Sequence, residues 1–524
     1  MKCLITYDTR LISQDNAKEW GVETVLTSDE LSIDISQLPK ENESLVFYVP
    51  TVCDYRNSLL YDGANLALRI LLYYLRIGKT DVDIVLMGNE SETDFLLQYD
   101  YPNILKIPGF HYTRFNIKNI ANFNLRHREK IKLEEYKSYL VNLGLNMPSS
   151  FKSTHSLTNE WCIYKWNSFM GFKEDVSALE HHLYFDYLIT IEKLNKVKDK
   201  KLTDCLKERI KKISDGTRIL LIEDKEGWHK FFNELFKDSM QVEVHCIGLD
   251  FNKLQLFDIE KKIKDEVDKF NPHVIILDFR LMEDRDAEIN DDMKQISGYQ
   301  VLSKVLKGTY EAPLDSFGRQ VLIFTATSRI ENIFLLNKGN ADGFILKESP
   351  ENYHGKDITK RVISDMVSKL MTAIERANFL IPLNENLDNL IKLVEATNNT
   401  KTEIGIAIKL TSQSVRQLTQ NNILNKDILK IEFLNVFSIL ESIKSNKLEK
   451  LFPFINSEAS RIKLAPEIFV LWEDICEIRK CLAHGDDKIG KGKLKGQVID
   501  SVILFEWSLN LLTFVFEFMK LYLK

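Results

Sequence analysis

Five residues in one stretch of the chain are of types that handle phosphoryl groups. Glu223 and Asp224 follow the apolar run RILLI, Asp278 follows VIIL, Thr325 follows VLIF and Lys347 follows FIL. Carboxylates gathered at one place repel each other unless a hard cation neutralises them. Oxygen ligands of this kind suit Mg²⁺, which binds through a few carboxylates plus water and phosphate. A metal beside Asp278 would lower the barrier for a phosphoryl group arriving at its carboxylate. Thr325 could hydrogen-bond a phosphoryl oxygen, and Lys347 could pair with its charge. A second chemistry sits near the other end of the chain, where Arg479 and His484 are five residues apart at the end of a helical pattern. An imidazole can move the 2′-hydroxyl or leaving-group proton of RNA while a guanidinium steadies the phosphorane charge, with no metal. Lys488, Lys491, Lys493 and Lys495 crowd the Gly-rich loop that follows. They could hold RNA phosphates close to His484, and the same run also suits a solvated surface loop.

The first set of residues works only if something brings it together. Residues 216–356 alternate short apolar strands with helical patterns, which suggests a parallel sheet with crossover helices. In such a sheet, ligands sit outside the carboxyl ends of the strands, and those ends are where the five residues fall. Residues 1–124 alternate in the same way. KCLITYD (2–8) parallels RILLIED (218–224), SLVFYVP (44–50) parallels HVIILDF (273–279), and GANLALRILL (63–72) parallels GYQVLSKVLK (298–307). DIVLMGN (83–89) stands opposite VLIFTAT (321–327), and NILK (103–106) opposite FILK (344–347). This order reads as an internal duplication. Residues 125–215 read as a charged helical linker region, with Leu157, Trp161, Tyr164 and Trp166 forming a packing face. From 357 to 524 the pattern is helical almost throughout and suggests a bundle.

The segment 216–356 resembles the receiver domain of bacterial response regulators. Its motif is an acidic pair after strand one, an acceptor Asp after strand three, Thr/Ser-Ala after strand four and Lys after strand five. Here these are Glu223/Asp224, Asp278, Thr325-Ala326 and Lys347, with Phe344 at the aromatic switch position. The resemblance implies a flavodoxin-like doubly wound fold and a phosphoacceptor at Asp278. It implies Mg²⁺ on Glu223, Asp224 and Asp278, switch roles for Thr325, Lys347 and Phe344, and a histidine kinase or small phosphodonor as partner. Two departures stand out. Glu348 follows the lysine where the family usually has Pro, and an acidic insertion, EDRDAEINDD, lies between Asp278 and Gly298. That insertion is expected to slow entry of a phosphodonor or cover the pocket.

In the first copy, Asp8 and Lys106 match Asp224 and Lys347, but Val49 or Pro50 stands in place of the acceptor and Met87 in place of Thr325. Asp54 would substitute only if the register shifted. This copy is expected to be a degenerate receiver used for interaction, unless it is an unrelated α/β domain.

The R-x4-H pair resembles the motif of HEPN domains, all-helical modules that often act as metal-independent endoribonucleases. The resemblance spans roughly 380–524. It implies catalytic Arg479 and His484, a homodimer through the helical end, and a role in stress or phage defence. Lys480 follows the arginine where the family often has Asn, Asp or His, and no Tyr lies two residues after His484.

Composition narrows the classes. The chain has 524 residues, with 44% apolar and 28% charged, as expected of three or four globular domains. Lys plus Arg is 70 against 76 Asp plus Glu, a net charge of -6, which excludes a chain-wide basic footprint. Seven scattered cysteines with no C-x-x-C argue against a disulfide framework or a cysteine zinc site and for a reducing cytoplasm. The start, MKCLITYDTR, has no apolar run of signal-peptide type. Val498–Leu523 is apolar enough to consider as a membrane span, but Glu506, Asn510, Glu517, Lys520 and Lys524 form one wet stripe, as in an amphipathic bundle helix. No Walker A or G-x-G-x-x-G motif is present. The fold expected is therefore α/β plus all-α: two flavodoxin-like domains, a helical linker and a helical bundle. The function expected is a phosphorylation-controlled endoribonuclease. The alternative is a non-enzymatic phosphorylation-responsive scaffold whose helical end mediates dimerisation or RNA or protein binding.

Overall fold

The computed structural model describes residues 1–6, 14–27, 38–39, 44–52, 61–116, 131–145, 154–173, 183–194, 200–213, 216–239, 242–282, 285–286, 293–307, 318–325, 341–348, 358–396 and 474–482, with a few single positions besides. The chain divides into two compact units. The first is Met1–Lys200; the second holds Lys201–Ser349 and the chain from Asp357 onward.

The first unit runs β1 (Lys2–Thr6), α1 (Gln14–Glu19), β2 (Thr24–Thr27), β3 (Leu45–Pro50), α2 (Asp62–Arg76), β4 (Val82–Gly88), α3 (Glu92–Gln98) and β5 (Phe110–Arg114). All its strand pairs are parallel, in the order β2-β1-β3-β4-β5. Three helices follow: α4 (Tyr136–Val141), α5 (Thr154–Met170) and α6 (Leu183–Leu194). These helices do more than link. Tyr136, Leu140 and Ile191 join the core beneath α2. Asp186 on α6 pairs with Arg69 Nε at 2.8 Å and Arg76 Nη2 at 3.0 Å on α2. A carboxylate taken out of water needs such partners, so this pairing lets a charged helix pack closely. Trp161, Tyr164 and Trp166 are buried, but so are Cys162, Ile163, Lys165 and Asn167, so α5 is enclosed on all sides rather than packed by one face.

The second unit runs α7 (Lys200–Lys211), β6 (Thr217–Ile222), α8 (Glu226–Phe236), β7 (Val242–Ile247), α9 (Leu256–Phe270), β8 (Val274–Asp278), α10 (Ser297–Val301), β9 (Gln320–Thr325), β10 (Gly343–Leu346) and α11 (Ile358–Ala396). Its sheet is again wholly parallel, in the order β7-β6-β8-β9-β10. Numbered from the first strand of each unit, both sheets are 2-1-3-4-5, the order of flavodoxin-like sheets. Burial on both faces explains why these strands read as near-continuous apolar runs. Ile259, Ile263 and Val267 of α9 and Val301 of α10 pack on one face with Leu220, Ile222, Ile275 and Leu277. Trp228 and Phe232 of α8 pack on Phe324, which points to the other side. α11 lies against β8, β9 and β10. The boundary expected at 356/357 therefore falls just before a helix that covers the sheet. Ile363, Met366, Val367, Leu370 and Ile374 are its buried stripe.

Beyond 396 the described residues are few. Residues 474–482 are helical, with Ile475 and Ile478 buried, and Leu511 is buried as well. The rest of the expected bundle lies outside the described residues. Among the described residues, no helix is long and apolar enough to cross a membrane.

Gly298, the second residue of α10, lies close against the end of β8. A Cβ there would overlap the carbonyl oxygens of Asp278 and Phe279, which are backbone atoms and cannot swing aside as a side chain would. Gly298→Ala is expected to destabilise the protein by about 1–3 kcal/mol, read as a lower urea midpoint with an unchanged slope.

Candidate functional site

Parallel pairing carries the strand ends to one edge. Asp278 and Thr325 are the last residues of β8 and β9, and Glu223 and Lys347 each lie one residue past β6 and β10. Ladder hydrogen bonds run on past the strands and hold them. Glu223 N donates to Ile247 O at 3.0 Å, Phe279 N to Phe324 O at 3.2 Å and Lys347 N to Thr325 O at 2.7 Å.

Lys347 Nζ stands at the centre of the site. It is 2.8 Å from Asp278 Oδ1 and 2.9 Å from Glu223 Oε2, and 4.3 Å from the centroid of the Phe324 ring. Glu223, Asp278, Thr325 and Lys347 are all buried. One carboxylate oxygen from each of Glu223, Asp224 and Asp278 lies within 4.8 Å of the others. Asp224 Oδ2 accepts from Asn252 Nδ2 at 3.2 Å. Asp224 Oδ1 is buried and receives no hydrogen bond. A buried carboxylate oxygen with no donor suits a hard divalent cation, so the triad could hold one. Phe344 is half-buried against the core on the α9 and α10 side.

The electrostatics follow from burial. Loss of water and then the Asp278 charge push the Glu223 carboxyl well above its ordinary range, and the same two causes raise Asp224. Loss of water also raises Asp278, although Lys347 opposes the shift. Burial alone would lower Lys347, but Asp278 and Glu223 together outweigh it and raise its pKa. One ammonium thus pairs directly with two of the three carboxyls, and Asp224 is left outside that pairing.

Two neighbours escape sequence reasoning. His229 Nε2 lies 2.7 Å from the Glu223 carbonyl oxygen and braces the acidic pair from α8. Asp286 belongs to the acidic insertion, yet it is fully buried. Its carboxylate accepts from Ser297 Oγ at 2.5 Å and Ser297 N at 3.1 Å. Arg280 Nη1 donates to its carbonyl at 2.7 Å, while Arg280 N donates to Asp278 Oδ2 at 3.3 Å. One carboxylate of the insertion is therefore a clamp between its two ends, not a solvated charge. A buried acid inside an otherwise hydrophilic run leaves no signal in composition.

The first unit does not repeat this set of residues at the described strand ends, and its register corrects the sequence alignment. Phe115 N donates to Gly88 O at 2.8 Å as Lys347 N does to Thr325 O, and Thr51 N donates to Met87 O at 2.9 Å as Phe279 N does to Phe324 O. Pro50 therefore stands at the position of Asp278, Gly88 rather than Met87 at that of Thr325, and Phe115 rather than Lys106 at that of Lys347. Lys106 ends a 3-10 turn, Ile104–Lys106, before β5 begins. Gly109 at φ 94 then turns the chain, which is why NILK does not continue as a strand. Asp8 and Asp54 lie outside the described residues.

Arg479 is half-buried on the 474–482 helix. His484, Lys488, Lys491, Lys493 and Lys495 lie outside the described residues. Neither a family model, nor a curated protein, nor a solved structure matches the chain.

A carboxyl whose pKa is higher in the folded state holds more protons there than in the unfolded chain, so its contribution to stability falls as pH rises through that window. Asp224 is raised in this way. Asp224→Asn is expected to raise the melting temperature of metal-free protein at pH 8. The gain should fade as pH falls and the native carboxyl takes up its proton. Calorimetry as a function of pH tests it, and a loss of stability at pH 8 would sink the account.

Proposed function

We propose that the chain is a bacterial response-regulator-type signalling protein in which phosphorylation of Asp278 controls a C-terminal HEPN-type endoribonuclease. The supporting observation is the Lys347 ammonium set between Asp278 and Glu223, with Thr325 ending β9, the strand between those of Lys347 and Asp278. This arrangement suits phosphoryl transfer. An Asp278 carboxylate oxygen attacks the phosphorus of a kinase phosphohistidine or of a small donor such as acetyl phosphate. The new O–P bond forms as the donor's P–N or P–O bond breaks, and imidazole or acetate departs. Lys347 shifts its pairing from the carboxylate to a phosphoryl oxygen, and the Thr325 hydroxyl donates to another. Glu223, Asp224 and Asp278 would hold Mg²⁺, which would offset the phosphoryl charge.

In the output step, His484 would move the proton of an RNA 2′-hydroxyl and Arg479 would steady the phosphorane. The lysines at 488, 491, 493 and 495 would bind flanking phosphates, and two copies of the helical end would build the cleft. A receiver with two arrangements would bias that assembly. The setting would be the cytoplasm, in a response to stress or phage.

Acetyl phosphate with Mg²⁺ is expected to add one phosphoryl group to the whole protein by intact mass, and none to Asp278→Ala. The absence of any addition, even with a panel of histidine kinases, would overturn the receiver reading. The full chain is also expected to cleave RNA in the presence of EDTA, with at least about a hundredfold loss in His484→Ala. Cleavage equal in both proteins would remove His484 from the mechanism. Phosphorylation without cleavage in either protein would favour the scaffold.

A further inference from the structure

We propose that Asn252 is a positioning residue for the acidic pocket, fixing Asp224 so that its Oδ1 alone is offered to a divalent cation. This rests on the metal-dependent receiver reading above and names a part of the site that the acidic triad does not include.

The triad has six carboxylate oxygens, and five of them accept hydrogen bonds. Glu223 Oε1 accepts from Lys225 N at 3.3 Å and Oε2 from Lys347 Nζ at 2.9 Å. Asp278 Oδ1 accepts from Lys347 Nζ at 2.8 Å and Oδ2 from Arg280 N at 3.3 Å. Asp224 Oδ2 accepts from Asn252 Nδ2 at 3.2 Å. The sixth, Asp224 Oδ1, is buried and takes none. A buried oxygen left without a donor is costly, and an incoming cation removes that cost. Asn252 decides which oxygen is left over. With its amide on Oδ2, the carboxylate cannot turn both oxygens to the metal, and it binds through one.

The segment carrying Asn252 is built to hold this position. Gly248 has φ 128, and a Cβ on it would collide with the Glu223 carbonyl, so the chain after β7 lies directly against the acidic pair. Phe251 is buried and anchors a 3-10 turn, Phe251–Lys253. Phe251 N donates to Gly248 O at 2.9 Å and Leu254 N to Phe251 O at 3.0 Å. Asp250 pairs with Lys262 of α9 at 2.7 Å. The turn is thus fastened on three sides, while Asn252 itself is exposed. Its replacement therefore leaves the core untouched, and an effect on metal binding reports the amide rather than the fold.

The test is titration of MgCl2 into the full chain by isothermal calorimetry, with the difference in tryptophan fluorescence between the native chain and Trp228→Phe as a second reading. Trp228 lies 5.5 Å from Lys347 Nζ across its ring. Asn252→Leu, which keeps the branched four-atom side-chain skeleton but has no donor, is expected to weaken Mg²⁺ binding about tenfold, as loss of outer-shell partners of metal ligands does. Asn252→Gln, which keeps the amide, is expected to recover part of the loss. Leu249→Ala, an exposed change in the same segment, is expected to bind as the native protein does. Equal affinity in native protein and Asn252→Leu would overturn the inference and leave the receiver reading standing. An equal loss in Leu249→Ala would also overturn it, by making the effect general to the segment. No Mg²⁺ binding by native protein would overturn the metal reading itself, and this inference with it.

Discussion

The buried ammonium of Lys347 is the constraint on which the second unit depends. Three carboxylates at the ends of β6 and β8 could not share a dry pocket without it. Removing one partner from a buried ion pair typically costs about 3–5 kcal/mol, because the charge left behind keeps its desolvation penalty. The sheet order makes the reach demanding. β9 separates β10 from β8, so the lysine stem has to cross a strand to meet Asp278 and Glu223. The Phe324 ring on β9 supplies the floor for that crossing, with the ammonium over its face. A cation over an aromatic face gains further stabilisation when water is excluded. Three strands are thereby joined at their ends by one side chain.

The first unit shows what the same topology becomes without that charge. Its strands pair in the same order, so the geometry for a pocket exists. Pro50, Gly88 and Phe115 occupy the three register positions, and none of them ionises. Tyr112 pairs with Leu86 as Phe344 pairs with Ile323, so it holds the aromatic position of that copy. Its ring stacks on Phe95 and its hydroxyl donates to the Glu90 carbonyl at 3.0 Å. A Cβ on Gly88 would run into that hydroxyl. In the first unit the Tyr112 hydroxyl thus takes up the place beside Gly88 where a side chain would stand, while Phe115, at the register position of Lys347, is 45% exposed.

Much of this was legible in the sequence, for a physical reason. Strands buried on both faces are nearly all apolar, so the first polar residue after each run marks its end. That is how Asp278, Thr325, Lys347 and the acidic pair could be read as neighbours. The same rule misled at Lys106, because a short apolar run before Pro108-Gly109 looks like a strand and is a turn. Contacts that depend on how a loop folds were not legible at all. Asp286 sits in a run of charged residues and Asn252 in an unremarkable GLDFNK, and neither type nor spacing distinguishes them from solvated side chains. Periodicity reports which face of an element is buried, but not which polar side chain a loop turns inward.

Glu348 shows how a departure from a motif can carry structural meaning. A proline after the lysine would fix the backbone there through its ring. Glu348 is instead buried, and its Oε2 accepts a hydrogen bond from Thr359 Oγ1 at 2.7 Å. Thr359 lies in the first turn of α11, where a carboxylate also suits the helix dipole. Glu348 thereby ties the end of β10 to the next element through its side chain. The residue beside the pocket lysine and the start of α11 are thereby joined twice, along the chain and through this hydrogen bond. α11 is 39 residues long, about 58 Å at helical rise. Its buried stripe on the sheet reaches Ala377 and Leu380, and the helix then runs on to Ala396. α11 therefore meets the pocket end of the sheet through its packing on β8, β9 and β10 and through this one partly buried hydrogen bond beside Lys347.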